Sequence, residues 1–105
     1  MELMAIYTTV ANKDDARRIA LSLVEQKLVA CAQISEIESF YTWDQAIQQA
    51  GEYRILLKTT DEHYARVEAA LRKLHPYELP AIYAVPVTQA FAPYAHWVAE
   101  NSSGK

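Results

Sequence analysis

Apolar residues recur along this chain at two periods, about every second residue and about every 3.6. The order in which these periods alternate is what most constrains the fold. Residues 4–10 form a short apolar run rich in Tyr and Thr, which predicts a strand. Asn12 then suits an N-cap, with Asp14 and Asp15 where a helix dipole favours anions. Ala16, Ile19, Ala20, Leu23 and Val24 repeat at helical spacing, which predicts a helix over 13–27. Residues 29–43 are β-rich and free of Gly and Pro, and Ile37, Ser39, Tyr41 and Trp43 alternate against Glu36, Glu38, Phe40 and Thr42. The polar stretch 44–51 holds Gly51 and suits a hairpin tip, with 52–60 as the return strand.

Asp61 is expected to cap a second helix whose stripe is Tyr64, Val67, Leu71 and Leu74, and His75-Pro76-Tyr77 stops it. Residues 79–87 predict a strand that Pro80 and Pro86 confine to an edge or to irregular ends. Pro93 opens a last helix, on which Tyr94 and Trp97 are spaced to dock against the sheet. Residues 101–105 read as a polar, frayed tail.

The element order is β-α-β-β-α-β plus a terminal helix, without a linker, so residues 1–105 form a single domain. Two βαβ halves with right-handed crossovers give an α+β, ferredoxin-like βαββαβ sandwich with a C-terminal helix and a long hairpin of the second and third strands. A faint internal repeat agrees: Thr8-Thr9, Ala16-Arg17 and Ala20 recur as Thr59-Thr60, Ala65-Arg66 and Ala69.

Composition removes several classes of function. With 51% hydrophobic and 22% charged residues, the chain is not disordered as a whole. Its 13 acidic and 10 basic residues give a net charge of −3, which argues against nucleic acid and against an anionic membrane surface as partners. No apolar run approaches the ~20 residues of a membrane span. Residues 1–7 lack the basic and apolar blocks of a secretory signal, so a cytoplasmic location is expected. The two glycines, Gly51 and Gly104, allow neither a Walker loop nor a G-x-G-x-x-G turn. The one cysteine, Cys31, excludes a disulfide framework and the multi-Cys zinc patterns.

Three places could carry function. His75-Pro76-Tyr77-Glu78 joins an imidazole, a phenol and a carboxylate at a helix end, which suits a ligand pocket or metal site and equally a helix stop. Cys31 is either a packed core thiol or a catalytic one, and His63, His75 and His96 are all too far off in sequence for a base to be read beside it. Tyr41 and Trp43 point the same way near the hairpin tip, on strands longer than a ferredoxin-like core needs, and this suggests an interface. No Ser-His-Asp order, H-E-x-x-H or paired-carboxylate motif is recognisable.

Val29-Ala30-Cys31-Ala32, Ser39-Phe40-Tyr41-Thr42-Trp43, Leu57-Lys58-Thr59-Thr60, His75-Pro76-Tyr77-Glu78-Leu79-Pro80 and Tyr94-Ala95-His96-Trp97 follow one another at fitting intervals. Together they resemble the CutA family of divalent-cation tolerance proteins, over about residues 3 to 100. The resemblance implies a ferredoxin-like fold, a tight homotrimer in the cytoplasm, binding of copper or another divalent cation, a role in metal tolerance, and no established enzymatic activity or required cofactor. The chain departs from the family's habit of Gly at Gln45 and Ala90. It also has Tyr7, Leu74 and Ala81 where some members carry Cys, His and Glu.

On this basis Glu52, Lys58, His75 and Tyr77 are expected to line one cleft near a subunit boundary, with Tyr41 and Trp43 as interface anchors. Glu52 and Lys58 share a strand face, and the His75 turn follows the helix that packs on that sheet. Metal binding is expected to be weak and to depend on His75 with Glu78 or Cys31. A second reading is a signalling module similar to the trimeric PII proteins, binding a small ligand or a protein partner in the clefts between subunits. An acylphosphatase-like enzyme is disfavoured, because residues 8–14 lack the Gly and Arg its loop requires.

Overall fold

Strand and helix periods are realised in the expected order. In a computed structural model that describes residues 2–104, the elements are β1 (Leu3–Val10), α1 (Lys13–Glu25), β2 (Cys31–Trp43), β3 (Ala46–Thr60), a 3-10 turn (Asp61–His63), α2 (Tyr64–Leu74), β4 (Ile82–Val87) and α3 (Ala92–Asn101). The sheet runs β2-β3-β1-β4 with every neighbouring pair antiparallel, which is the ferredoxin-like arrangement. Ile6 and Val10 of β1, Ile55 and Leu57 of β3, Ile19 and Leu23 of α1, and Val67 and Leu71 of α2 are all buried in one cluster. They define the face covered by α1 and α2. Alternate residues of the same strands, Tyr7, Leu56 and Lys58 among them, point to the opposite face.

Local chemistry explains the ends of α1. The Asn12 side chain accepts the Asp15 N–H at 2.8 Å, as an N-cap should. At the other end Lys27 takes φ 56°, donating its N–H to the Val24 carbonyl while Leu28 donates to Leu23. This is a Schellman motif with Lys in the position that favours glycine, and it ends the helix at Glu25, two residues short of the predicted range.

Several expectations are corrected. Residues 44–51 are not a loop. Trp43 pairs with Ala46, and the tip is the two-residue turn Asp44-Gln45, with φ 54° and 64° as a type I′ turn requires. Gly51 is therefore a mid-strand residue opposite Glu38, in open space. Asp61 does not cap α2. Its carboxylate accepts the Glu2 N–H and its own N–H donates to the Glu2 carbonyl, joining the start of β1 to the end of β3, and a 3-10 turn intervenes before the helix. The last strand starts at Ile82 rather than Leu79, and it does occupy a sheet edge, where Pro86 is tolerated.

The tail is docked over 101–104. The buried Ser102 hydroxyl donates to the Val98 carbonyl at 2.6 Å, and Gly104 N–H donates to the Lys27 carbonyl at 2.8 Å. Lys105 lies outside the described residues. The helix α3 is anchored by buried Val98 and by Tyr94, whereas Trp97, stacked on Tyr94, keeps 45% of its surface exposed instead of docking on the sheet.

Candidate functional site

The long strands outrun their neighbour. Val10 of β1 pairs with Tyr53, so residues 46–52 of β3 and 37–43 of β2 continue as a two-stranded ribbon past the end of β1. At ~3.4 Å per residue the ribbon projects about 24 Å. Its apolar side chains are not covered by the chain itself: Phe40 is 63% exposed, Trp43 48% and Ile47 81%.

Where the ribbon leaves the sheet, the segment after α2 crosses beside it and encloses a cleft of about 730 Å³. Ile37, Tyr41, Trp43, Glu52 and Arg54 form the ribbon side, Pro76, Tyr77, Glu78 and Leu79 the opposite side, and Thr9 and Tyr83 the floor towards β1 and β4. The size is that of an ordinary small-molecule site.

The crossing segment is fixed by hydrogen bonds that start at the end of α2. His75 N–H donates to Leu71, and the Arg18 guanidinium of α1 donates to the Leu74 carbonyl at 2.8 Å while holding Asp15 at 3.2 Å. The His75 ring then ties the turn to β1. Its Nδ1 accepts the Tyr77 N–H at 3.1 Å, so in the neutral ring the proton sits on Nε2, which donates to the Thr9 carbonyl at 2.9 Å beside the Thr8 hydroxyl at 3.0 Å. Burial lowers the His75 pKa below its ordinary value, outweighing the Thr9 carbonyl, which acts in the opposite direction. The ring is therefore held neutral with both nitrogens in use.

Tyr77 completes the chain of contacts by donating to Glu52 Oε2 at 2.7 Å. Burial, followed by the neighbouring Glu52 carboxylate, raises the Tyr77 pKa well above that of a free phenol, so the hydroxyl stays a donor. Glu52 itself is only 8% exposed. The nearby cation, Arg54, lies over the Tyr7 ring at 5.7 Å, and Tyr7 stacks on Tyr83 at 5.3 Å.

Of the expected cleft residues, Glu52 and Tyr77 meet directly, and His75 stands behind Tyr77 as its anchor. Lys58 lies elsewhere: it is six positions along β3 from Glu52, about 20 Å at strand spacing, with its ammonium 5.4 Å from the Tyr94 ring centre. Half-buried Cys31 pairs with Lys58 at that same end. Thr8 pairs with Ile55, so the His75 ring and Cys31 are separated by three positions along β3, about 10 Å, and by a strand. Glu78 is exposed on the cleft wall. Among the described residues no three His, Cys, Asp or Glu side chains converge as a metal site would require. Tyr41 and Trp43 both line the cleft and remain 44% and 48% exposed.

Sequence reasoning missed Thr8, Thr9, Arg18 and Arg54. Strand alternation is the signal that could have found Thr8: it shares the inward face with Ile6 and Val10, so its hydroxyl must have a partner.

The sequence profile of the CutA1 divalent ion tolerance protein family matches residues 4–101. This chain belongs to that family. The divalent-cation tolerance protein CutA of Thermotoga maritima is 37% identical over 99 residues, covering 94% of this chain and 98% of its own. The crystal structure of CutA1 from the psychrotrophic Shewanella sp. SIB1 superposes with a TM-score of 0.92 at 41% identity, covering 96% of this chain and 95% of that one. The Archaeoglobus fulgidus protein, described as a periplasmic divalent cation tolerance protein, superposes at 0.93 with 34% identity, covering 95% and 98%. The α+β fold is thus the family's. No described helix is long and apolar enough to cross a membrane.

Proposed function

We propose that the chain acts as a homotrimeric, cytoplasmic binding protein in divalent-cation tolerance, with no chemistry of its own. One observation carries the assembly: Tyr41, Trp43 and Tyr83 are exposed on the face away from α1 and α2, and Phe40 and Ile47 are exposed on the other side of the ribbon. An isolated two-stranded ribbon is marginal in water, and β2 along its length and β3 beyond Tyr53 offer unpaired backbone edges. Closure around a three-fold axis covers both liabilities, with Tyr41 and Trp43 as anchors. Light scattering at micromolar concentration should return three chain masses. A monomer would sink the proposal.

The cation, copper or another divalent ion, is handled as a weak visitor. The side chains within one chain do not fit a resident metal, because His75 uses both ring nitrogens and Cys31 is remote. Binding through His75 and Glu78 requires Nδ1 to release the Tyr77 N–H, and that cost keeps affinity low. The reduced, lone Cys31 is compatible with a cytoplasmic location.

The cleft supports a second reading, in which a small ligand binds beside Glu52 near a subunit boundary, as in a PII-like module. Its volume and its few polar groups among aromatic walls favour it. Lys58 serves the trimer or α3 rather than this cleft.

A further inference from the structure

We propose that α3 is a lid over the sheet end where Ala5 pairs with Lys58, held shut by a latch at Gly104, and that it opens as a unit while the rest of the fold stays closed.

Leu3 and Ala5 of β1 alternate with Ile6 and so point away from α1 and α2, outside the main core cluster, yet they are only 8% and 9% exposed. The element that packs against β1 and β3 there is α3, with Val98 buried and the Lys58 ammonium over its Tyr94 ring. This helix has little to hold it by itself. It has 10 residues, fewer than the ~12–15 below which isolated helices are marginal in water. Its N-cap, Phe91, makes no side-chain hydrogen bond, and Val98 is its one buried residue. Its order therefore depends on what pins its two ends.

The first end is tied to β4 by the chain. The second is tied by the segment that follows. Ser102 is fully buried, and Gly104 N–H donates to the Lys27 carbonyl at 2.8 Å, which joins the lid to the turn after α1. Gly104 stands at φ 76°, a region that glycine enters without steric cost, and a Cβ there would meet the Arg66 guanidinium of α2. The latch is thus seated between the end of α1 and the side of α2. All of these contacts lie within one chain, and none involves the ribbon. One backbone hydrogen bond and one buried valine are little beside the main core, which places the lid at the low-stability end of the fold.

The test is amide hydrogen exchange of the assembled protein, read at Val98 in the lid and at Ile6 in β1, a strand paired on both sides. Val98 is expected to exchange at least ~tenfold faster than Ile6, each rate taken relative to its value in an unstructured chain. Gly104→Pro removes the donor and forbids the positive φ. It should speed Val98 by at least a further ~tenfold and leave Ile6 unchanged. If that variant fails to assemble, shortening the chain to Ser103 removes the same donor and is read at the same two amides. Equal protection of Val98 and Ile6 in the unaltered chain overturns the lid. Acceleration of both amides together, or of neither, in the altered chain overturns the latch.

Discussion

The Tyr77 hydroxyl donates to Glu52 Oε2 at 2.7 Å, linking the segment after α2 to the middle of β3, 25 residues away in sequence. Glu52 is nearly buried, so the loss of this donor leaves a carboxylate oxygen without its partner. Tyr77→Phe should destabilise the protein by ~1–2 kcal/mol. Urea unfolding at fixed protein concentration measures it, and an unchanged midpoint would show that the bond contributes nothing.

The His75 ring gives stability a pH dependence of known sign. Its folded pKa lies below the unfolded value near 6.5, so the unfolded chain binds a proton first as pH falls. Stability from this group is fully present above about pH 6.5 and is lost as pH falls through the folded pKa. His75→Gln should flatten this part of the stability profile, compared by denaturant midpoints across that range.

At the hairpin tip, Gln45 sits at φ 64°, a conformation that glycine adopts without strain. Gln45→Gly removes Cβ strain from a type I′ turn and should stabilise the chain by about 0.5–1 kcal/mol. A raised thermal midpoint at constant protein concentration is the expected sign, and a lowered one would contradict the turn assignment.

Trp43→Ala removes a half-exposed indole from the ribbon. If it is an interface anchor, the variant should dissociate at concentrations where the unaltered chain stays assembled, by more than ~1 kcal/mol per contact. Analytical ultracentrifugation over a dilution series reads this, and identical dissociation curves would remove Trp43 from the interface.

Copper titration should give weak binding that His75→Ala weakens further. Because burial lowers the His75 pKa, protons should displace the metal only below the ordinary histidine range near ~6.5. Affinity unaffected by His75→Ala would move the metal to other residues.

The order of strands and helices was legible because each element carries its period in nearest-neighbour spacing. Ile19 and Leu23 on α1, or Ile55 and Leu57 on β3, announce their buried faces without knowledge of the rest. Asn12 likewise marks a helix start through a contact only three residues long. The tip at Asp44-Gln45 was not legible: neither residue favours positive φ as glycine does, and polar composition with Gly51 pointed to a longer loop. There the pairing of Trp43 with Ala46 decided the geometry.

The site shows the same division. His75, Tyr77 and Glu52 could be picked out as candidates from residue type, motif and strand face. Their partners could not, because hydrogen bonds that span 25 to 67 positions in sequence leave no local pattern. Lys58 and Glu52 share a face by the period-two rule, yet six residues of extended strand hold them about 20 Å apart. Face is a local property of the strand, whereas proximity depends on where α1, α2 and the ribbon bring distant segments together.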